Sequence, residues 1–161
     1  MDSDSIDKVA VLNALMKRLT EELDEAIAAS RDAAAYATNE ESRAESKWDT
    51  QGLEASYLAA GQAGQAREWA QAMQTIRAQR ESLLAKKERV LLGALVECEV
   101  DGETDCYFIT PAAGGQDLSI EGHPVTTITM QSPMAQKIQN RKEGDSFILS
   151  NGLKGMIKRI R

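Results

Sequence analysis

The sequence predicts an α+β chain in which a long antiparallel helical hairpin precedes a small β-rich domain. Three observations carry this reading. All three prolines, Pro111, Pro124 and Pro133, come after a proline-free stretch that runs through Val90. Apolar residues recur at helical three-and-four spacing in the first half and at period two from Leu91 onward. Aromatics make up only 4% of the 161 residues, while alanine is abundant in the first half, the composition of a thin helical part rather than a thick globule.

The first helix is marked by Leu12, Leu15, Leu19, Leu23, Ala26, Ala33 and Ala37. Ser5, followed by Ile6, Asp7 and Lys8, is read as its start, with an acid in the first turn. The second helix is marked by Leu53, Tyr57, Ala60, Ala63, Ala66, Trp69, Met73, Ile76, Leu83 and Val90. Sustained over several heptads, the two runs predict an antiparallel coiled coil across residues 1–90. Residues 39–52 are polar, have no apolar period and are read as the hairpin tip. Asp49 or Thr50 would cap the second helix, with Glu54 near its positive end. Toward the tip the seam residues are small, and Gly61 and Gly64 each cost about 1 kcal/mol relative to alanine in a helix interior. Acceptance of that cost predicts a slender, charged end. A helix of about 34 residues would be about 50 Å long.

Residues 91–161 read as a small α+β domain with four to six strands. Residues 92–100 and 105–110 form a hairpin turning at Asp101-Gly102, which pairs Val100 with Glu103, Cys98 with Asp105 and Cys106 with Glu97. A Gly114-Gly115 loop follows, then a strand over 125–130. Ser132 caps a short helix with Pro133 at its first position. Lys142-Glu143-Gly144-Asp145 is a turn, and Asn151-Gly152 joins a last pair of strands over 146–150 and 153–160. Tyr107 and Phe108 point to opposite sides of their strand, so one enters the core. His123, beside Pro124, reads as a structural or exposed loop residue.

Composition excludes several functions. A net charge of −6 is wrong for a chain that binds nucleic acid electrostatically as a whole. No apolar stretch approaches the ~20 residues of a membrane span, and the acidic start MDSDSIDK has no signal-peptide pattern, so a cytoplasmic protein is expected. The predicted register points Cys98 and Cys106 to opposite faces of the hairpin, which argues against a disulfide. Two cysteines and one histidine also make a poor zinc site. Charge is uneven: residues 97–121 hold seven acids and no base, whereas 137–161 hold seven bases and two acids. Either these are solvated strand faces, or Lys154, Lys158, Arg159 and Arg161 border a partner surface or an RNA backbone.

The string Ile128-Thr129-Met130-Gln131-Ser132-Pro133-Met134-Ala135-Gln136-Lys137-Ile138, with Lys142-Glu143-Gly144-Asp145 after it, resembles the Gre transcript-cleavage factors. The order of parts, helical hairpin then FKBP-like domain, is similar to that family over nearly the whole chain. The resemblance implies a bacterial RNA polymerase as partner, contacted by the C-terminal domain with Ser132, Pro133, Gly144 and Asp145 on the docking side. It implies a coiled-coil tip inserted into the secondary channel, where tip acids help hold a catalytic Mg²⁺ shared with the polymerase. Hydrolysis by two metals needs such an ion, and Mg²⁺ is often held by only one or two carboxylates. The chain would then be an accessory factor and not itself an enzyme. It would be a monomer that meets nascent RNA and DNA only through the elongation complex.

The tip departs from the family pattern, in which an acidic pair stands three residues apart. Aligned on Tyr57, those positions hold Thr50 and Leu53. Asp49 and Glu45, four apart, are the first candidates for the metal. Glu40, Glu41 and Glu54 follow. Lys47 and Trp48 are candidate tip contacts; Trp48 either folds back on the hairpin or stacks on a polymerase element or base. Three functions follow: stimulation of RNA cleavage, channel-binding regulation without cleavage, or a coiled-coil adaptor. Prolyl isomerisation fits poorly, because residues 91–161 supply only Tyr107, Phe108 and Phe147 to line a cleft.

Overall fold

The computed structural model describes residues 6–43 and 51–161, with side chains over 6–36 and 59–161. It contains two long helices, α1 (Lys8–Arg43) and α2 (Gln51–Ala78), then the short α3 (Arg80–Leu84). A six-stranded domain follows: β1 (Leu95–Val100), β2 (Glu103–Ile109), β3 (Asp117–Ile120), β4 (His123–Ile128), α4 (Pro133–Ile138), β5 (Ser146–Ile148) and β6 (Lys154–Ile160). The α+β architecture is therefore as the sequence predicts. The chain divides into two compact units: Arg18–Gln71, and the start of α1 to Lys17 together with Ala72–Arg161.

Ser5, read as the helix start, lies outside the described residues; Asp7 holds the described start of α1. Its carboxylate accepts from the Val9 amide at 3.1 Å and its carbonyl from Val11 at 3.0 Å, so an otherwise unpaired amide of the first turn has a partner. Leu12, Leu15 and Leu19 are completely buried, as are Ile76 and Leu83 to within 1%. Farther along, Ala26 and Ala33 are buried, and the Ser30 hydroxyl donates to the Ala59 carbonyl at 3.3 Å. Helical structure in α1 extends to Arg43, into the polar stretch read as tip.

Two expectations for the second helix are corrected. The helical period breaks at Gln79, and Ala85 is already extended with ψ 141°. Val90 is buried for a different reason: it exchanges backbone hydrogen bonds with Arg141 and Asn140, at 2.9 Å each. Nor do the glycines let the helices approach. A methyl on Gly61 would meet nothing within 4 Å, and one on Gly64 would touch only the end of Arg67 at 3.8 Å. Ala60, assigned to the seam by its spacing, is exposed.

The sheet has the order β3-β4-β2-β1-β6-β5. The β1–β2 register pairs Val100 with Glu103, Cys98 with Asp105 and Cys106 with Glu97, as the turn residues require. Asp101 and Gly102 have φ of 52° and 78°, the left-handed pair that matches strand twist. The β5–β6 hairpin is present but turns differently from a two-residue Asn-Gly loop. Leu149 pairs with Leu153, the Asn151 carboxamide accepts from the Leu153 amide, and only Gly152 takes positive φ.

The sequence reading missed β3. Leu118 and Ile120 face inward, and Glu121-Gly122, at φ 51° and 82°, turns the chain into β4. His123 thus opens a strand opposite Ile120 instead of lying in a loop. β2 and β4 pair in parallel, and buried Thr127 of β4 holds the loop before β3: its hydroxyl donates to Ala113 O and accepts from the Gln116 amide. On one face, Val96, Cys98, Ile109, Phe147 and Ile157 pack with Ala135 and Ile138 of α4. Leu95 and Phe108, which pair across β1 and β2, are buried on the other.

Candidate functional site

The segment from Ser132 to Asp145 is held by a series of local hydrogen bonds. Ser132 Oγ accepts from the Ala135 amide at 3.0 Å, and Pro133 occupies the first turn. Asn140, at φ 63°, reverses the chain after α4. In the turn that follows, the Asp145 carboxylate accepts from the Lys142 amide at 2.8 Å and the Asp145 amide donates to Lys142 O at 3.1 Å. Gly144, at φ 89°, donates to Ile157 O, while Ile157 donates to Asp145 O. The Glu143 carboxylate accepts from Ile160 N at 2.9 Å. The tight turn is therefore pinned to β6, while α4 packs on the core through Ala135 and Ile138; Pro133 and Gly144 are exposed and Ser132 and Asp145 half-buried.

An apolar group that sequence reading did not single out lies on the terminal hairpin. Ile148 is 68% exposed, and Leu153 and Met156 are 41% exposed each. Ile148 and Met156 lie on the side of the hairpin opposite buried Phe147. Period two in β5 and β6 holds this signal, since residues flanking a core position by one face outward.

The basic strand is only partly open. Lys158 lies 3.8 Å from Glu99 and Arg161 3.9 Å from Glu97, so two of the four cations expected on a partner surface face acids of β1. Both cysteines are free and buried. Burial, then the nearby acids Asp105 and Glu97 respectively, pushes the Cys98 and Cys106 thiols up to about 12. Burial also raises the Tyr107 phenol, with Asp105 adding to it. These groups stay protonated and carry no nucleophilic chemistry at neutral pH.

The metal candidates are placed as follows. Glu45 and Asp49, with Lys47 and Trp48, lie outside the described residues, as does the expected cap, Asp49 or Thr50. Glu40 and Glu41 are on the last turns of α1 and Glu54 on the first turn of α2. Among the described residues no group of three metal-ligating side chains occurs. Among the described residues no helix is long and apolar enough to cross a membrane.

No protein-family model matches the chain, and no curated protein does. Among solved structures, the chain is similar to GreA factor homolog 1 of Thermus thermophilus at 17% identity and a TM-score of 0.36, covering 91% of this chain and 94% of that one. It is similar to Gfh1 of Thermus aquaticus at 17% identity and a TM-score of 0.35, over 92% and 95% of the two chains. A further structure, described as the transcription factor Gfh1, has 18% identity and a TM-score of 0.37, over 92% and 94%.

Proposed function

We propose that this protein is an accessory factor of bacterial RNA polymerase that acts at the polymerase secondary channel as a cytoplasmic monomer. One observation carries the reading. The string that resembles the Gre factors, residues 128–145, forms a strand end, a Ser132-capped helix and a Gly144-Asp145 turn in a β-rich domain that follows two long helices in the chain. These residues are the candidates for a docking surface. That surface, with Ser132, Pro133, Gly144 and Asp145, would dock on the polymerase, and Ile148, Leu153 and Met156 would supply its apolar contact.

The tip would do the work at the active site. Glu45 and Asp49, assisted by Glu41 or Glu54, offer carboxylate oxygens of the kind Mg²⁺ prefers. The ion, held jointly with the polymerase, would supply the activated water for RNA hydrolysis. This chain's part is to carry the carboxylates there, while Lys47 and Trp48 touch the channel wall or the RNA. A second reading is favoured by Thr50 and Leu53, which stand where the family has its acidic pair. It makes the protein a channel-binding regulator without cleavage.

Backtracked elongation complexes test this at fixed Mg²⁺. Shortened transcripts that extend again, and their loss with Glu45→Ala/Asp49→Ala, support cleavage stimulation. Intact RNA with the protein bound favours the regulator, and failure to bind core polymerase rejects both.

A further inference from the structure

In an acidic chain, one cavity is lined mainly by cations. It has a volume of about 710 Å³ and lies between the start of α1, the segment after α3, the 142–143 turn and the end of β6. Lys8, Lys86, Lys87, Arg89, Lys142, Arg159 and Arg161 border it, against Glu88 and Glu143. Seven basic and two acidic side chains converge here, although the chain as a whole has a net charge of −6. All nine belong to one compact unit.

Hydrogen bonds orient four of these cations. Lys8 Nζ donates to Ala85 O at 2.8 Å and to Arg161 O at 3.4 Å. Lys87 Nζ donates to Ser82 O at 2.7 Å, and Arg89 Nη1 to Asn140 O at 2.9 Å. Arg161 donates from Nη1 to Ile6 O at 2.9 Å, while its Nη2 is buried without a hydrogen-bond partner, 3.9 Å from Glu97. These bonds fix where the cations lie, and Arg161 is in addition paired with Glu97. Glu143 is turned to the Ile160 amide. Lys8 is only 8% exposed, and burial, with Lys87 nearby, lowers its ammonium to about 8. Like charges collected in a concave, partly desolvated site repel one another until an anion enters.

We propose that this cavity is a binding site for a small polyphosphate anion, such as the diphosphate or triphosphate group of a free nucleotide. Several cations at separate points of the wall suit several phosphates better than one. The volume falls in the range of small-molecule sites, about 300–1,000 Å³. Anion binding by the chain alone needs no polymerase, so it is tested separately from the proposed function.

Inorganic pyrophosphate is the probe, titrated calorimetrically into the full chain without divalent metal at about 0.15 M salt. Saturable one-to-one binding is expected, with inorganic phosphate at least about tenfold weaker. Lys87→Glu/Lys142→Glu weakens pyrophosphate binding at least about tenfold, whereas Lys154→Glu/Lys158→Glu changes it less than about twofold. Both pairs alter net charge equally, so their difference isolates the cavity from the general field, and circular dichroism verifies that each variant is folded. Absence of saturable binding, equal affinity for phosphate, or equal loss in the two double variants would overturn the proposal.

Discussion

Lys8 illustrates how one buried ammonium links the fold to pH. Its folded value of about 8 lies below the ordinary 10.5, so between those values the unfolded chain binds more protons than the folded one. Stability contributed at this site therefore rises with pH from about 8. The thiols of Cys98 and Cys106 act in the opposite sense: raised from 9.0 to about 12, they make stability fall as pH climbs above 9, and Tyr107 adds to that fall. Urea unfolding is expected to show a maximum near pH 9, with the rising limb lost in Lys8→Met. A thiol reagent should label neither cysteine in the folded protein and both after unfolding. Two glycines make a contrasting pair. Gly61→Ala, which adds a methyl to open space, should stabilise by about 1 kcal/mol. Gly155→Ala would drive a Cβ into the Phe147 ring and to 2.9 Å from Val100 Cγ2, destabilising by about 1–3 kcal/mol. Denaturant midpoints read both.

Among the elements, the short α4 depends on its first residues. Ser132→Ala removes the oxygen that accepts from the Ala135 amide and should cost about 1 kcal/mol, seen as a lower urea midpoint with unchanged slope. This cap was legible from Ser132-Pro133 alone, and the β1–β2 register from Asp101-Gly102, because local chemistry decides both. The β3 strand was not: Leu118 and Ile120 give only two inward positions, and Glu-Gly is a weaker turn signal than Asn-Gly or Asp-Gly. Partners distant in sequence were also hidden. Nothing local to residues 107–109 announces a parallel neighbour at 126–128, and Val90 continued a helical period by coincidence while pairing with Asn140 and Arg141. The candidate site divides the same way. Its turn residues could be read because they satisfy each other locally, whereas the basic cavity draws on α1, residues 84–89 and β6, which only folding brings together.

For the molecule as a whole, the proposed docking surface and the proposed anion site call for separate tests. An exposed apolar group on a terminal hairpin is a plain recognition element when fixed polar turns flank it. Ile148→Asp should weaken polymerase binding at least about tenfold while leaving the urea midpoint unchanged, since Ile148 is 68% exposed. The central claim, an accessory factor of RNA polymerase, is tested most directly by titrating fluorescently labelled protein with bacterial core polymerase and following anisotropy. Saturable binding that is competed by unlabelled protein and weakened by Ile148→Asp is the predicted result. Anisotropy that stays flat up to about 10 μM polymerase, with the labelled protein verified as folded, would contradict the account.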